Sequence, residues 1–427
     1  MQLPENHPLR YVLNNEIHAR PPEEFTAPAQ ISYLALIYPP SENENAFSDL
    51  EKLCEMAGIH PPRPETSHFR TEMGQIFLKW ERHTEFVTYT FSRQAAFDSP
   101  FEKPVIAQVP KDWLAGVRGQ VLVATHLAIR DHRLFIPDLK DVAKDFSDNY
   151  LVGAKVGGGK AIALTDFRIH ENGFSRMLLM DIQLGKRQCG RTIQRLVEIE
   201  TYRMMALIAL PVAREASAML SNSEQELAAI TSSLASVGPE QEPELLYKLS
   251  RLAASVENKV ATTSFRFGAA RAYYALVKRR IAELREERLV GVQTVEEFME
   301  RRLAPAMNTC ESIALRLFDL SERIARASDL LRTRVDIERE QQNLALLASM
   351  DRRAKLQLRL QQTVEGLSVA AITYYVVGLI GYLVKAVASL GVAVHAELLT
   401  GASIPIVALG VWWGVRRLRK KITAHPT

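Results

Sequence analysis

A chain of 427 residues with 47% hydrophobic and 24% charged side chains is too long for one ordinary core and too apolar for disorder, so two or three folded domains are expected. Its formal charge of +4 hides an asymmetry, because ten Lys/Arg against two Glu lie from Arg352 onward and leave the preceding part net acidic. Basicity confined to that end excludes a nucleic-acid partner, and three scattered cysteines, Cys54, Cys189 and Cys310, exclude both a disulfide framework and a zinc-ligand spacing.

The first residues, Met1 to Pro8, lack the apolar stretch of a signal peptide. They open a polar cluster of His7, Arg10, Asn15, Glu16, His18 and Arg20. A carboxylate beside an imidazole can transfer protons or hold a metal. Glu16 and His18, two apart, would also share a strand face and could simply pair. No HExxH or other complete ligand set accompanies them, so the residues name no metal or cofactor.

The next part, to about residue 189, reads as a mixed α/β domain. Ile31–Tyr38 alternates like a strand, Phe47–Ala57 has helical spacing, and Phe69–Trp80 with Glu85–Phe91 reads as a hairpin turning at Glu81–Thr84. Gln120–Ile129 is a further strand and Leu139–Phe146 a helix. Three strands follow, Tyr150–Val156, Ala161–Ile169 and Phe174–Ile182. Gly157-Gly158-Gly159-Lys160 resembles a phosphate loop, but Ala154 and Ala161 stand where that pattern needs Gly and Ser/Thr, and a strand follows where a helix is required. A hairpin turn is the expectation.

From residue 190 to 363 the pattern is helical. Thr192–Leu210 is expected to end near Pro211 and to carry i,i+3 and i,i+4 ion pairs on a docking helix. Helical character resumes to Ser236, and Val237–Pro243 is a linker. Glu244–Leu289 is a long helix broken by Gly291, and another starts near Thr294, with Pro305 kinking it. Ile313, Leu317, Leu320, Ile324, Ala327 and Leu331 step by four and three, a coiled-coil-like seam. With no Gly or Pro from Ala306 to Glu365, one helix could run through the first apolar span for roughly 115 Å. Such a stalk needs the preceding helix, other subunits, or both as neighbours.

Residues 364–421 read as a transmembrane hairpin. Gly366–Val384 is uncharged and covers about 28 Å, the thickness of bilayer hydrocarbon. Leu398–Val415 is a second span, ending in Trp412 and Trp413 where an interfacial belt belongs. Arg352, Arg353, Lys355 and Arg359 precede the first span, and Arg416, Arg417, Arg419, Lys420 and Lys421 follow the second. Positive charge stays inside, so both termini are expected in the cytoplasm. Neither span holds an ionisable residue, which argues against a proton relay.

Three stretches carry a resemblance: NNEIHARPP at Asn14–Pro22, Thr165–Glu215, and LRTRVDIEREQQNLALLASMDRRAKLQLRLQQTVEGLSVAAITYYVVGL, which enters the first span. They resemble a bacterial family of uncharacterised membrane-anchored proteins (domain of unknown function 3422). The likeness covers essentially the whole chain and implies membrane anchorage without assigning an activity. The element order also resembles CorA-type magnesium channels, which are pentamers whose first span ends in Gly-Met-Asn. The corresponding positions are Gly378, Gly381, Tyr382, Leu383 and Lys385. Leu cannot supply the amide oxygen of Asn, and a ring of Lys385 would repel cations.

The sequence therefore leads to an inner-membrane-anchored protein with a cytoplasmic sensor-like or interaction domain. Its expected partners are the lipid bilayer, further copies of itself, and a cytoplasmic protein or an ion. A CorA-like channel and an enzyme using Glu16, His18 and Arg20 are the alternatives.

Overall fold

The computed structural model describes residues 4–11, 13–14, 23–39, 43–132, 138–234, 236, 238–389 and 396–423. It divides into two units, Met1–Ser236 with Glu244–Ser328, and Val237–Pro243 with Asp329–Thr427.

In the first unit eight strands form one mixed sheet: β1 (Ala29–Ile37), β2 (His68–Met73), β3 (Ile76–Arg82), β4 (Val87–Arg93), β5 (Gln120–Asp131), β6 (Val152–Val156), β7 (Ala161–Thr165) and β8 (Ser175–Asp181). Their order is β2-β3-β4-β1-β5-β8-β7-β6, antiparallel throughout except for β5 beside β8. Two three-strand meanders thus flank the long central strands β1 and β5.

Alternation decides what each face carries. Leu34, Leu36, Leu78, Trp80, Val87, Tyr89 and Phe91 face α1 (Asn43–Met56) and α2 (Lys111–Gly116) in one buried cluster. Ala128, Ile162, Leu164, Leu178 and Met180 continue it beneath α3 (Leu139–Lys144) with Val142 and Phe146. The opposite face lies under α4 (Lys186–Leu207), whose buried Ile193, Leu196, Val197 and Ile199 form the apolar side of its turns. The result is a helix/sheet/helix sandwich. Gly190 is what lets α4 come so close, because a Cβ there would fall on the Glu23 carbonyl oxygen.

Several expectations need correction. Phe69–Trp80 is not one strand of a hairpin but a hairpin itself. Gly74, at φ 61°, turns the chain with Gln75, so that Met73 pairs with Ile76. Pro211 does not end a helix. The break is at Ile208, and Pro211 sits in the first turn of α5 (Ala209–Leu234), where its missing N–H costs nothing. Likewise Pro305 begins α8 (Ala304–Ser389) and does not kink it. Before that, α6 (Glu242–Leu284) stops five residues short of Leu289. The released chain runs along the β6 edge, where Glu287 and Lys155 exchange backbone hydrogen bonds of 2.9 and 3.0 Å and Gly153 N donates to Gln293 O at 2.8 Å. This covers an otherwise open sheet edge. The short α7 (Val295–Arg302) follows, and Thr294 closes a capping box with Glu297. The Gly157–Lys160 stretch is the β6–β7 turn, with all three glycines at positive φ.

The seam residues Ile313, Leu317, Leu320 and Ile324 of α8 are buried. Their helix is tied to α5 by Arg316 and Glu224 at 2.6 Å and to α6 by Arg271 and Glu311 at 4.0 Å. Helices of the same chain therefore fill this part of the seam.

In the second unit Arg334 pairs with Glu242 at 2.6 Å. Beyond it α8 presents exposed Leu344, Leu346, Leu347, Leu356, Leu358 and Leu360. The second helix here is α9 (Ala396–Thr423), which holds Pro405 within it.

Candidate functional site

The sheet face beneath α4 is apolar at its centre and polar at the β3–β4 side. Strand alternation turns Lys79 and Glu81 of β3, and Thr88 and Thr90 of β4, away from the Trp80–Tyr89 core; Lys79 lies opposite Thr90, and Glu81 opposite Thr88. A solvent-facing pattern of this kind is common on a half-covered sheet. Here α4, the Glu23–Phe25 segment and α6 enclose it into a cavity of about 240 Å³.

The floor is an ion cluster. Lys79 Nζ lies 2.9 Å from Glu81 Oε2, and Arg70 Nε lies 3.1 Å from Glu23 Oε1. The side chains of Lys79 and Glu23 are each 8% exposed and that of Glu81 is 13%, whereas Arg70 is 53% exposed and reaches in from the rim. Burial raises the Glu23 carboxyl above its ordinary range, opposed by the charges of Lys79 and Arg70. Opposite Glu81, the Thr88 hydroxyl is buried and has no hydrogen-bond partner among the described residues. An unsatisfied polar atom in a closed site calls for an explanation.

The roof and back wall are internally satisfied. Tyr33 Oη and Thr201 Oγ1 are 2.9 Å apart, and Gln194 donates to Glu198 Oε1 at 2.8 Å. Arg280 of α6 pairs with Glu198 and, at 3.1 Å, with Glu283, which also takes Arg195 at 3.0 Å. The ion pairs expected within α4 are thus partly realised (Glu200 with Arg203, 2.6 Å), while Arg195 and Glu198 reach α6. Aromatic rings line the mouth. His83 stacks on Phe86 at 4.4 Å, Tyr202 on Tyr273 at 5.8 Å, and Phe86 meets Tyr202 edge-on at 6.5 Å. They border an open hollow of about 520 Å³ that shares His83, Phe86 and Tyr202 with the cleft.

Other polar groups resolve into structural roles. Ser32 and His126 form a buried pair at 3.0 Å, a constellation seen in hydrolases. However, Ser32 Oγ accepts the Ile106 N–H at 3.0 Å and the imidazole stacks on Phe174 at 3.9 Å. Burial holds the His126 imidazole at about 3, so it is neutral. Asp49 accepts from Tyr38 and Arg118 inside the α1 layer. All three cysteines are buried, and burial pushes the Cys54 thiol to about 11 and that of Cys189 to about 12, which disfavours thiolate chemistry. No group of three or more potential metal ligands occurs among the described residues.

Of the residues singled out in the sequence, Asn15, Glu16, His18 and Arg20 lie outside the described residues. His7 and Arg10 are exposed; His7 Nδ1 accepts the Leu9 N–H at 3.2 Å, and Arg10 bonds to Asn6. Gly378, Gly381, Tyr382, Leu383 and Lys385 are all interior to α8, which continues to Ser389, so they form no turn. Lys79, Glu81 and Thr88 do not stand out in the sequence, since there they are the ordinary polar half of alternating strands, and Glu23 lies in the coil ahead of β1 with no motif around it.

The architecture defines a protein with an α/β sandwich that encloses a polar cleft, joined in sequence to long helices. Among the described residues, three helical stretches are long and apolar enough to cross a membrane: Lys186–Leu234, which runs through α4 and α5, Ala304–Val387 and Glu397–Arg417. The chain belongs to the family described as "Protein of unknown function (DUF3422)", matched over residues 5–422. No curated protein and no solved structure matches it.

Proposed function

We propose that this is a protein anchored in the bacterial inner membrane by a C-terminal helical hairpin, with its sheet unit in the cytoplasm and the cleft as a ligand-sensing site. The observation that carries the anchor is a contrast in burial. A third of the apolar window in Lys186–Leu234 is buried inside the fold, against none in the windows of the last two helices. That first stretch packs Met205, Ala206, Ala209, Ala213, Ala216 and Leu220 inside the fold. The others leave Leu367, Tyr374, Tyr375, Leu379, Leu398, Ile406 and Leu409 exposed, a surface far larger than water-soluble proteins present. Gly381 of one helix lies beside Thr400 of the other, where a Cβ would make ordinary van der Waals contact with Thr400 Cγ2 at 3.4 Å, so the two helices touch at this point. Arg416 over Trp412 (4.9 Å) and Arg417 over Trp413 (5.1 Å) fit an interfacial belt on the positive side. The exposed leucines of α8 before the span support self-association through that stretch.

The anchor is tested by fractionation and labelling. The full chain should resist carbonate extraction, and a chain ending at residue 363 should not. In spheroplasts an impermeant maleimide should label Glu397→Cys directly but Thr427→Cys only after lysis. Extraction of the intact protein, or equal labelling at both positions, would refute the hairpin. Light scattering of the detergent-solubilised protein tests self-association, and a strict monomer would remove it.

A further inference from the structure

We propose that the basic end of the membrane hairpin holds the phosphodiester headgroup of an anionic phospholipid, between Arg359 of α8 and Arg419 of α9. This rests on the reading of α8 and α9 as that hairpin and names the lipid it selects.

Helix register brings the two positions together from distant parts of the chain. Gly381 lies beside Thr400. From that point a stripe of partly covered side chains runs along each helix, through Val369, Thr373 and Ile380 on α8 and Val407, Val411 and Val415 on α9. α8 ends at Ser389 and α9 starts at Ala396, so the two stripes run antiparallel. Along α8, Arg359 is about 33 Å from Gly381, and along α9, Arg419 is about 29 Å from Thr400. The two positions therefore stand level to within about 5 Å. At about 100° per residue, Arg359 falls roughly 50° from the middle of the α8 stripe and Arg419 roughly 90° from that of α9, in the same rotational sense. On antiparallel helices the same sense means the same flank, so both positions border one groove. Arg353 falls on the far side of α8 and about 9 Å further from the span.

Charge selects the occupant. Arg416, Arg417, Lys420 and Lys421 share this layer with Arg359 and Arg419, and Glu365 is the one carboxylate between Arg359 and Val384 or after Leu398. Cations brought together on adjacent helices repel, and an anion between them removes the repulsion. Arg416 over Trp412 and Arg417 over Trp413, at 4.9 and 5.1 Å, set the cluster at the interfacial belt, which is the plane of the lipid phosphates. A zwitterionic headgroup brings its own cation there. An anionic one leaves its phosphodiester charge to the protein, and guanidinium pairs with phosphate through two N–H donors. A soluble phosphate would have to displace headgroups already packed in that plane.

The test is tryptophan quenching in the full-length protein, reconstituted in phosphatidylcholine vesicles with a small fraction of brominated lipid. Trp412 and Trp413 are exposed on the span, whereas Trp80 and Trp113 are buried in the sheet unit and supply a constant background. Brominated phosphatidylglycerol should associate roughly fivefold or more tightly than brominated phosphatidylcholine. Arg359→Gln and Arg419→Gln should each lower that ratio by roughly two- to fivefold. Arg353→Gln removes the same charge from the far side, about a Debye length deeper, and should leave the ratio unchanged. Equal quenching by the two lipids would overturn the assignment. An Arg353→Gln loss as large as that of Arg359→Gln would also overturn it, since diffuse attraction and not a groove would then draw the lipid. Loss of the preference in sodium phosphate but not in sodium chloride of equal ionic strength would hand the groove to a soluble anion. In all three cases the anchor stands on its own cysteine labelling. Equal labelling at Glu397→Cys and Thr427→Cys would instead take the lipid site down with the hairpin.

Discussion

Replacing Asp49 by alanine removes the acceptor that ties α1 to the chain entering β5. Its carboxylate takes the Tyr38 hydroxyl and the Arg118 backbone N–H at 3.0 Å each, and Arg118 Nε and Nη2 at 3.1 and 3.0 Å. Asp49 is 1% exposed on its side chain, but that of Arg118 is 37% exposed and also bonds to Asn45 at 2.6 Å. Water can therefore rehydrate the guanidinium, and the full penalty of a broken buried ion pair does not apply. What remains is the buried Tyr38 hydroxyl and one backbone N–H left without partners, at about 1–3 kcal/mol each. The expected loss is about 2–6 kcal/mol, or roughly 4–12 °C in Tm for a unit of this size. Tryptophan fluorescence on heating is a suitable assay, since Trp113 Nε1 donates to the Asp49 carbonyl at 2.7 Å and reports on this locus. In a Tyr38→Phe background the same change should be about 1 kcal/mol milder, because one orphan is gone. A Tm within about 1 °C of the parent, or no coupling to Tyr38, would refute the reasoning.

Acid should weaken the first unit through His126. Burial first, then the Arg176 charge, holds its folded pKa at about 3 against 6.5 for the free side chain. The unfolded chain thus binds a proton that the folded one rejects between those values. Stability from this group is complete above pH 6.5 and declines toward pH 3 by up to about 1.4 kcal/mol per pH unit. His126→Phe, which retains a ring on Phe174, should flatten the fall of Tm with acid over that window, and an unchanged slope would contradict the assignment. Lys79→Met should destabilise by about 3–5 kcal/mol, since it strands the largely buried Glu81 carboxylate. Lys79→Met with Glu81→Leu should recover most of that loss in chemical denaturation. Failure to recover would make the ion cluster a structural necessity and not a retained ligand site.

Much of this protein could be read without coordinates, where the signal is local. Period-two alternation located β1 and β5, glycines that tolerate positive φ placed the β6–β7 turn, and helical spacing found α1 and α3. Prolines misled at Pro211 and Pro305, because a proline in the first turn of a helix looks in sequence like one that ends the previous helix. The Phe69–Trp80 hairpin was missed because Gly74 and Gln75 are the shortest possible turn within a continuous run of strand formers. The four-and-three spacing of Ile313 to Ile324 announced a buried seam but not its partner, and α5 and α6 supply one.

By itself the amino-acid order determined most of the elements, the family, the two apolar runs and their basic flanks, since each depends on residues close together in the chain. The cleft was decided by tertiary structure alone. Lys79, Glu81, Thr88 and Thr90 occupy the polar half of alternating strands, where solvent is the default. Only the approach of α4, allowed by Gly190 against the Glu23 carbonyl, turns that half into an enclosed site. Burial of a charge by an element a hundred residues away leaves no local pattern, because its cause is the packing of the whole sandwich.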